Sequence, residues 1–332
     1  MESFDALLVE QKGERLLATV QTIDETRLPE GDVLVEVLYS SVNYKDALAV
    51  TGRGKIIRGD YPFVPGIDLV GRVLASASPA WKPGDLVLCT GWGIGENTWG
   101  GYSRRQRLRS EWLVRLPEGL TPREAMVIGT AGFTAMLSAM ALADHGVTPD
   151  RGEVVVTGAS GGVGSMAVAI LAGRGYRVVA STGKASAHDY LAALGAARFL
   201  PREELGAGPR RPLDSARWAG AVDSVGGATL AAVISQTGRH GCIAACGLAG
   251  GHELHTTVFP FILRGVTLQG IDSNTCPQPV RRQAWENLAR ELSKEALQRM
   301  TTRVIPLEAI PEVSEDILAG RVQGRIVVDL SA

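Results

Sequence analysis

EVVVTGASGGVGSMAVAILAGRGYRVVASTGK, Glu153–Lys184, reads as an apolar strand, a glycine-rich turn, an apolar helix and a second apolar strand. Strand-turn-helix-strand at this spacing is the repeating unit of a parallel sheet with right-handed crossovers. Gly158, Gly161, Gly162 and Gly164 fill the turn. Glycine suits a chain that turns tightly, lets a ligand approach its backbone and packs a helix onto a strand. The helix that follows would aim free N–H groups and a positive dipole end at a pyrophosphate. The spacing departs from strict G-x-G-x-x-G, so the strand-loop-helix context carries the reading against a glycine-rich turn that binds nothing.

The second strand ends in Ser181, Thr182, Gly183 and Lys184. At that place an acidic residue would bond the adenosine ribose of a dinucleotide and repel a 2′-phosphate. Two hydroxyls, an unobstructed N–H and an ammonium instead suit a phosphate dianion. Arg202, in LPREE after the next predicted strand, adds a second cation. The set predicts NADPH over NADH; the plainer alternative makes Lys184 the start of a solvated helix.

Beyond Lys184 the alternation continues through AHDYLAALGA to the apolar runs AGAVDSV and GCIAACG. This predicts an α/β, Rossmann-type doubly wound parallel sheet, with Asp223 at the carboxyl edge where ligands gather. Upstream, DVLVEVLYSSVNY, DLVGRVLA and DLVLCTGWG alternate apolar with polar residues between Pro and Gly, as in a small barrel or sandwich. Downstream, RRQAWENLARELSKEALQRM is polar and helical, and GRIVVDL is a strand able to rejoin the β-rich part. Residues 1–124 and 277–332 are therefore expected in one domain and 125–276 in the nucleotide-binding one. Ala125–Ala143 carries no charge and is long enough to cross a bilayer. Its Ala, Gly, Ser and Thr content, without flanking basic clusters, predicts a buried helix instead.

A chain of 332 residues supports two cores, and 45% hydrophobic with 21% charged residues describes a folded globular protein. A net charge of −1 offers no field for nucleic acid or an anionic membrane, so any anion site is local. Four cysteines without a C-x-x-C pair suggest reduced thiols, with Cys242 and Cys246 as small core residues, and MESFDALLVEQKGE has no leader pattern. A cytoplasmic protein is expected.

A β-rich domain before such a sheet resembles the medium-chain dehydrogenase/reductase superfamily. Zinc-using members carry Gly-His-Glu early in the chain; the matching PGIDLVG, residues 65–71, has Ile67 and Asp68, and the four-cysteine lobe is missing. GHELH places His252 and His255 three apart, not the four of H-E-x-x-H, within a glycine-rich loop. No metal is expected. The stretches SSVNYKDALAVTGRGKIIR, GWGIGENTWGGY, IGTAGFTAMLSAMAL, VVVTGASGGVGS, AACGLAGG, PFILRGVTLQGIDS and VQGRIVV resemble the acrylyl-CoA reductase group of the zinc-free, quinone oxidoreductase-like branch. The resemblance runs over essentially the whole chain and implies a GroES-like, partly open barrel as the catalytic domain.

It further implies NADPH-dependent reduction of acrylyl-CoA to propanoyl-CoA, with hydride added at the β-carbon, an enolate on the thioester oxygen and a proton added at the α-carbon. By position it assigns cofactor contacts to Tyr44, Ser160 to Val163, Thr182 to Lys184, Arg202, Leu248, Ile262 and Ser273. Where some relatives have SGR this chain has TGK, which keeps the cation and the small residue. Without a metal the enolate needs hydrogen-bond donors. Tyr44, with Asn43, Asp46 and Asp68, forms the candidate catalytic set: Tyr44 either donates the proton or packs on the nicotinamide while solvent does, and Asp68 orders a neighbouring donor or is structural. Arg53, Lys55 and Arg58 are candidates for coenzyme A phosphates; Arg104, Arg105, Arg107 and Arg109 read as a solvated face. The competing functions are an NADPH:quinone reductase and an NADPH-binding protein without turnover. A homodimer, joined through GCIAACGLAGG and Phe259–Leu268, is what relatives suggest.

Overall fold

The computed structural model describes residues 2–13 and 15–331. Its elements run β1 (Ser3–Lys12), β2 (Arg15–Asp24), β3 (Val33–Ser41), α1 (Tyr44–Thr51), β4 (Asp68–Ser76), β5 (Leu86–Thr90), β6 (Arg105–Leu108), β7 (Val114–Arg115) and α2 (Pro122–Asp144). The middle continues with β8 (Glu153–Val156), α3 (Gly162–Gly173), β9 (Arg177–Thr182), α4 (His188–Ala193), β10 (Arg198–Pro201), α5 (Glu203–Gly206), β11 (Trp218–Asp223), α6 (Gly227–Gln236), β12 (Thr237–Ala245), α7 (Phe259–Arg264) and β13 (Thr267–Gly270). The chain closes with α8 (Gln278–Glu291), α9 (Lys294–Met300), β14 (Thr301–Ile305), α10 (Ile310–Leu318) and β15 (Arg325–Asp329).

Two compact units result. The first holds the chain up to Thr130, Ser273–Ala289 and the chain from Met300; the second holds Ala131–Asp272 with Arg290–Arg299. The divisions fall at Thr130 and Ser273, against the expected 124 and 276. Arg290–Arg299 join the second unit, where Arg174 at the end of α3 pairs with Glu291 at 2.7 Å.

In the first unit, β14-β15-β3-β4-β5-β7 form one sheet, β6 pairs with β3, and β1 and β2 form a hairpin. Val33, Val35 and Val37 alternate inward along β3, the period-2 signature of a sheet with one buried face. The closing strand rejoins this unit, Val327 lying opposite Ser41 across an antiparallel pair. In the second unit six parallel strands run in the order β10-β9-β8-β11-β12-β13. Strand order reverses between β8 and β11, the place where open α/β sheets hold their ligands.

The uncharged stretch after Ala125 is helical as expected, and 83% of its apolar window is buried inside the protein. One departure was not foreseen: Gly129 has φ 49° and ψ −159°, which breaks α2 about two turns from its start.

Candidate active site

The nucleotide end is built by β8, β9 and the loop between them. A cavity of about 590 Å³ in the second unit is lined by Thr157, Gly158, Ser160, Ser181, Thr182, Gly183, Lys184 and Arg202. Gly161 precedes α3 without a side-chain cap, and no acid sits in the first turn, so the N–H groups at Gly162, Val163 and Gly164 keep the character of an anion site. A side chain at Gly164 would place its Cβ 2.3 Å from the Gly158 carbonyl oxygen, so the helix can pack here only as glycine. Thr182 Oγ1 donates to Ser160 Oγ at 3.2 Å and accepts the Lys184 N–H at 3.1 Å, which ties the glycine loop to the end of β9. Partial burial holds the Lys184 ammonium below its usual range, a cost that a bound phosphate would offset. Arg202 lies over Gly183, where a Cβ would come within 2.6 Å of Arg202 Nε. Glu203 is the carboxylate among the lining residues, and it pairs with Arg202 at 3.2 Å. The residues present therefore fit a dinucleotide with a phosphate on its adenosine ribose.

The first unit holds a different kind of site. Asp46 and Asp68 are both buried, 1% and 0% exposed. Asp68 accepts from Thr130 N (3.0 Å) and Thr130 Oγ1 (2.5 Å) on Oδ1, and from Ser41 Oγ (2.6 Å) and Asn43 Nδ2 (2.8 Å) on Oδ2. Asp46 accepts from Ile67 N on one oxygen and from Asn43 N and Nδ2 on the other, at 2.9 to 3.1 Å. Arg325 supplies the cation, 3.9 Å from Asp68. Burial, and then the neighbouring Asp68 charge, push the Asp46 carboxyl up to about 7. Burial likewise raises Tyr102, followed by the two carboxylates; its hydroxyl donates to the Ser41 carbonyl at 3.1 Å. Tyr44 opens α1 directly after Asn43 and is 51% exposed.

Known proteins resemble the chain in both of these regions. The alcohol dehydrogenase GroES-like domain model matches residues 29–118, and the zinc-binding dehydrogenase model matches residues 162–294. The acrylyl-CoA reductase AcuI of Ruegeria pomeroyi is 52% identical over 99% of this chain and 100% of its own. The chain belongs to the acrylyl-CoA reductase group of the medium-chain dehydrogenase/reductase family. The crystal structure of Escherichia coli K-12 YhdH with bound NADPH superimposes with a TM-score of 0.95 at 54% identity, covering 98% of this chain and 99% of that one. Bacillus subtilis YhfP, solved with NAD bound, gives 0.95 at 44% identity over 99% and 100%.

Among the described residues no group of three or more His, Cys, Asp or Glu side chains is placed to hold a metal ion. Where zinc-using members of the family have His and Glu, Ile67 gives its N–H to Asp46, and Asp68 is taken up by Thr130, Ser41 and Asn43. His252 and His255 are exposed, and His255 pairs with Glu253. Leu248 and Ile262 stand 66% and 68% exposed. The Ser273 carbonyl accepts from Arg281. Asp223 is buried beneath the cavity wall, accepting from Thr157 Oγ1 at 2.6 Å and Gly226 N at 2.8 Å; burial raises its carboxyl. Arg53 pairs with Glu315, whereas Arg104, Arg105 and Arg107 face Asp5 and Glu25.

Two arginines escaped the sequence reading. Arg281 is 1% exposed and donates to Thr90, Ser273 and Asn274, with its guanidinium 4.9 Å from the Trp92 ring. A signal existed, because Arg281 shares the face of α8 that buries Ala284, Trp285 and Leu288. Arg325, 3% exposed, opens the apolar run IVV with no comparable local cue.

Proposed function

We propose that this protein reduces the 2,3 double bond of acrylyl-CoA to give propanoyl-CoA, with NADPH as reductant and without zinc. The observation that carries the cofactor half is the end of β9, where Thr182, Lys184 and Arg202 meet in one cavity. Likeness to an acrylyl-CoA reductase along the whole chain supports the substrate half.

When bound, NADPH supplies the hydride. The chain's own part is to bind and orient. Lys184, Arg202 and the Thr182 hydroxyl hold the 2′-phosphate, and the α3 N-terminus holds the pyrophosphate. Leu248, Ile262 and Ser273 complete the cofactor contacts by position in the family. Tyr44 stands beside the nicotinamide, with its hydroxyl available either to donate to the enolate or to leave protonation to solvent. Asn43, Asp46 and Asp68 hold the start of α1 and so the Tyr44 backbone. Arg53, Lys55 and Arg58 are the cations offered to coenzyme A phosphates. The protein works as a cytoplasmic homodimer, without nucleic acid or membrane as partner. Strand β13 ends its sheet, and Val258, Phe259, Ile262 and Leu263 are exposed beside it, which supports pairing through this edge.

The test is the initial rate of NADPH oxidation by chelator-treated protein with acrylyl-CoA, run beside NADH and a simple quinone. Turnover confined to NADPH and acrylyl-CoA is expected. Quinone reduction without acyl-CoA turnover would replace the substrate assignment, and NADPH bound without turnover would remove it. Sedimentation of the same preparation reads the oligomeric state.

A further inference from the structure

The break in α2 and the carboxylate network are one construction. At Gly129 the helix loses its regular hydrogen bonds, and the groups it frees are taken up by two side chains. Asp68 receives the Thr130 N–H, and Arg325 Nε donates to the Val127 carbonyl at 2.9 Å. No larger residue fits the break: a Cβ on Gly129 would lie 2.5 Å from Asp68 Oδ2, 2.8 Å from Arg325 Nη2 and 3.0 Å from Ser41 Oγ.

Arg325 then reaches the other way. Its Nη1 donates to Asn43 Oδ1 at 3.1 Å and its Nη2 to Ser41 Oγ at 3.0 Å. The Asn43 amide can sit in only one orientation. Its oxygen faces a guanidinium, which has no acceptor, and its nitrogen faces two carboxylates, Asp68 at 2.8 Å and Asp46 at 3.1 Å. Turning the amide over would oppose donor to donor and oxygen to oxygen. Three acceptors in three directions need a planar fork, which lysine lacks.

We infer that Arg325 is a positioning residue for the reduction: from the C-terminal strand it locks the Asn43 amide between Asp46 and Asp68, and through Asn43 it fixes the first residue of α1, Tyr44. The inference rests on the reading of Tyr44 as the group beside the nicotinamide. Arg325 touches neither substrate nor cofactor in this account. Its loss should therefore change the rate of the chemical step and leave dinucleotide affinity alone, since the Lys184 and Arg202 cavity is built from other residues.

The experiment compares wild type, Arg325→Met, Arg325→Lys, Ser41→Ala and Thr130→Val for kcat and KM with acrylyl-CoA, NADPH Kd by fluorescence, and Tm. Arg325→Met is expected to lower kcat by roughly 100-fold with NADPH Kd within about two-fold of wild type, and Arg325→Lys to recover part of that loss. Ser41→Ala removes one leg of the fork and keeps the protein folded if Arg325→Met does not fold; a loss in kcat of about three- to five-fold is expected. Thr130→Val removes the Oγ1 donor from the Asp68 oxygen remote from Asn43, and should lower Tm with little change in kcat. Wild-type kcat in folded Arg325→Met, or in Ser41→Ala, would overturn the inference. So would losses that follow Tm alike in the Arg325 and Thr130 variants. A wild-type protein that binds NADPH but does not turn over acrylyl-CoA would instead overturn the substrate reading, and this inference with it.

Discussion

The two units of this enzyme handle charge in opposite ways. At the phosphate end, Arg202 is 75% exposed and its pair with Glu203 sits in solvent, so the cations are free to exchange partners when a ligand arrives. Around Asp68 the charges are sealed, every carboxylate oxygen has a donor, and the Arg325 guanidinium is divided among three acceptors, on Val127, Asn43 and Ser41. Charges meant for a ligand are left with cheap partners, whereas charges meant for architecture are given costly ones.

The largest test of that contrast is Asp68→Ala, which takes the shared acceptor from Thr130, Ser41 and Asn43 and the paired charge from Arg325. A loss of about 3–5 kcal/mol in urea unfolding is expected, as for one partner removed from a buried charged pair. Lys184→Ala in the other unit should shift stability by less than about 0.5 kcal/mol. Equal losses would erase the distinction.

Asp46 gives a pH test. Its native value of about 7 lies above its ordinary 3.8, so the native state binds this proton more tightly than the unfolded chain does. The group's stabilisation is complete below about pH 4, is lost as pH rises through 7, and is level above that. Asp46→Asn keeps a neutral group at every pH. Its stability relative to wild type should therefore rise between pH 4 and 7, on the order of 4 kcal/mol, measured by urea midpoints across that range. A flat difference would mean that Asp46 is not held as a near-neutral acid.

At the ligand end, Lys184→Ala with Arg202→Ala should weaken NADPH binding by about 10- to 100-fold, the scale of charged hydrogen bonds, and leave NADH nearly unchanged. Parallel titrations with both dinucleotides check it. The smallest effect is expected at Arg104 and Arg107, which face Asp5 and Glu25 at 4.0 and 3.6 Å. Their replacement by Gln should cost under about 1 kcal/mol each, and KM for acrylyl-CoA should not change. A raised KM would move the coenzyme A site to this face.

The same contrast decides what a reader of the sequence can recover. Gly158, Thr182, Lys184 and Arg202 fall in one passage of three strands joined by two helices, and their proximity follows from adjacent parallel strands, so local pattern suffices. Asn43 and Asp46 were legible as polar residues in NYKD, and Asp68 through a family motif it alters, but their shared hydrogen bonds were not. Those depend on Ser41, Thr130 and Arg325 meeting across the sheet, and nothing in a chain's local period reports contacts at that separation. The break at Gly129 was hidden for a related reason. One glycine among Ala, Ser and Thr looks like any small residue in a packed helix until the side chains crowding it are known.

That β15 pairs with β3 also sets a schedule. During synthesis Ser41 emerges long before Val327, its partner across the sheet. At roughly 5–20 residues per second the wait is on the order of tens of seconds. Through that interval the row of N–H and C=O groups on β3 that β15 will cover has no strand beside it, and two buried carboxylates lack their cation. The nucleotide-binding sheet is complete by Gly270 and can finish folding meanwhile. The nascent chain thus passes through a stage in which half of it is native and the other half is exposed to chaperones, and the last strand ends that stage.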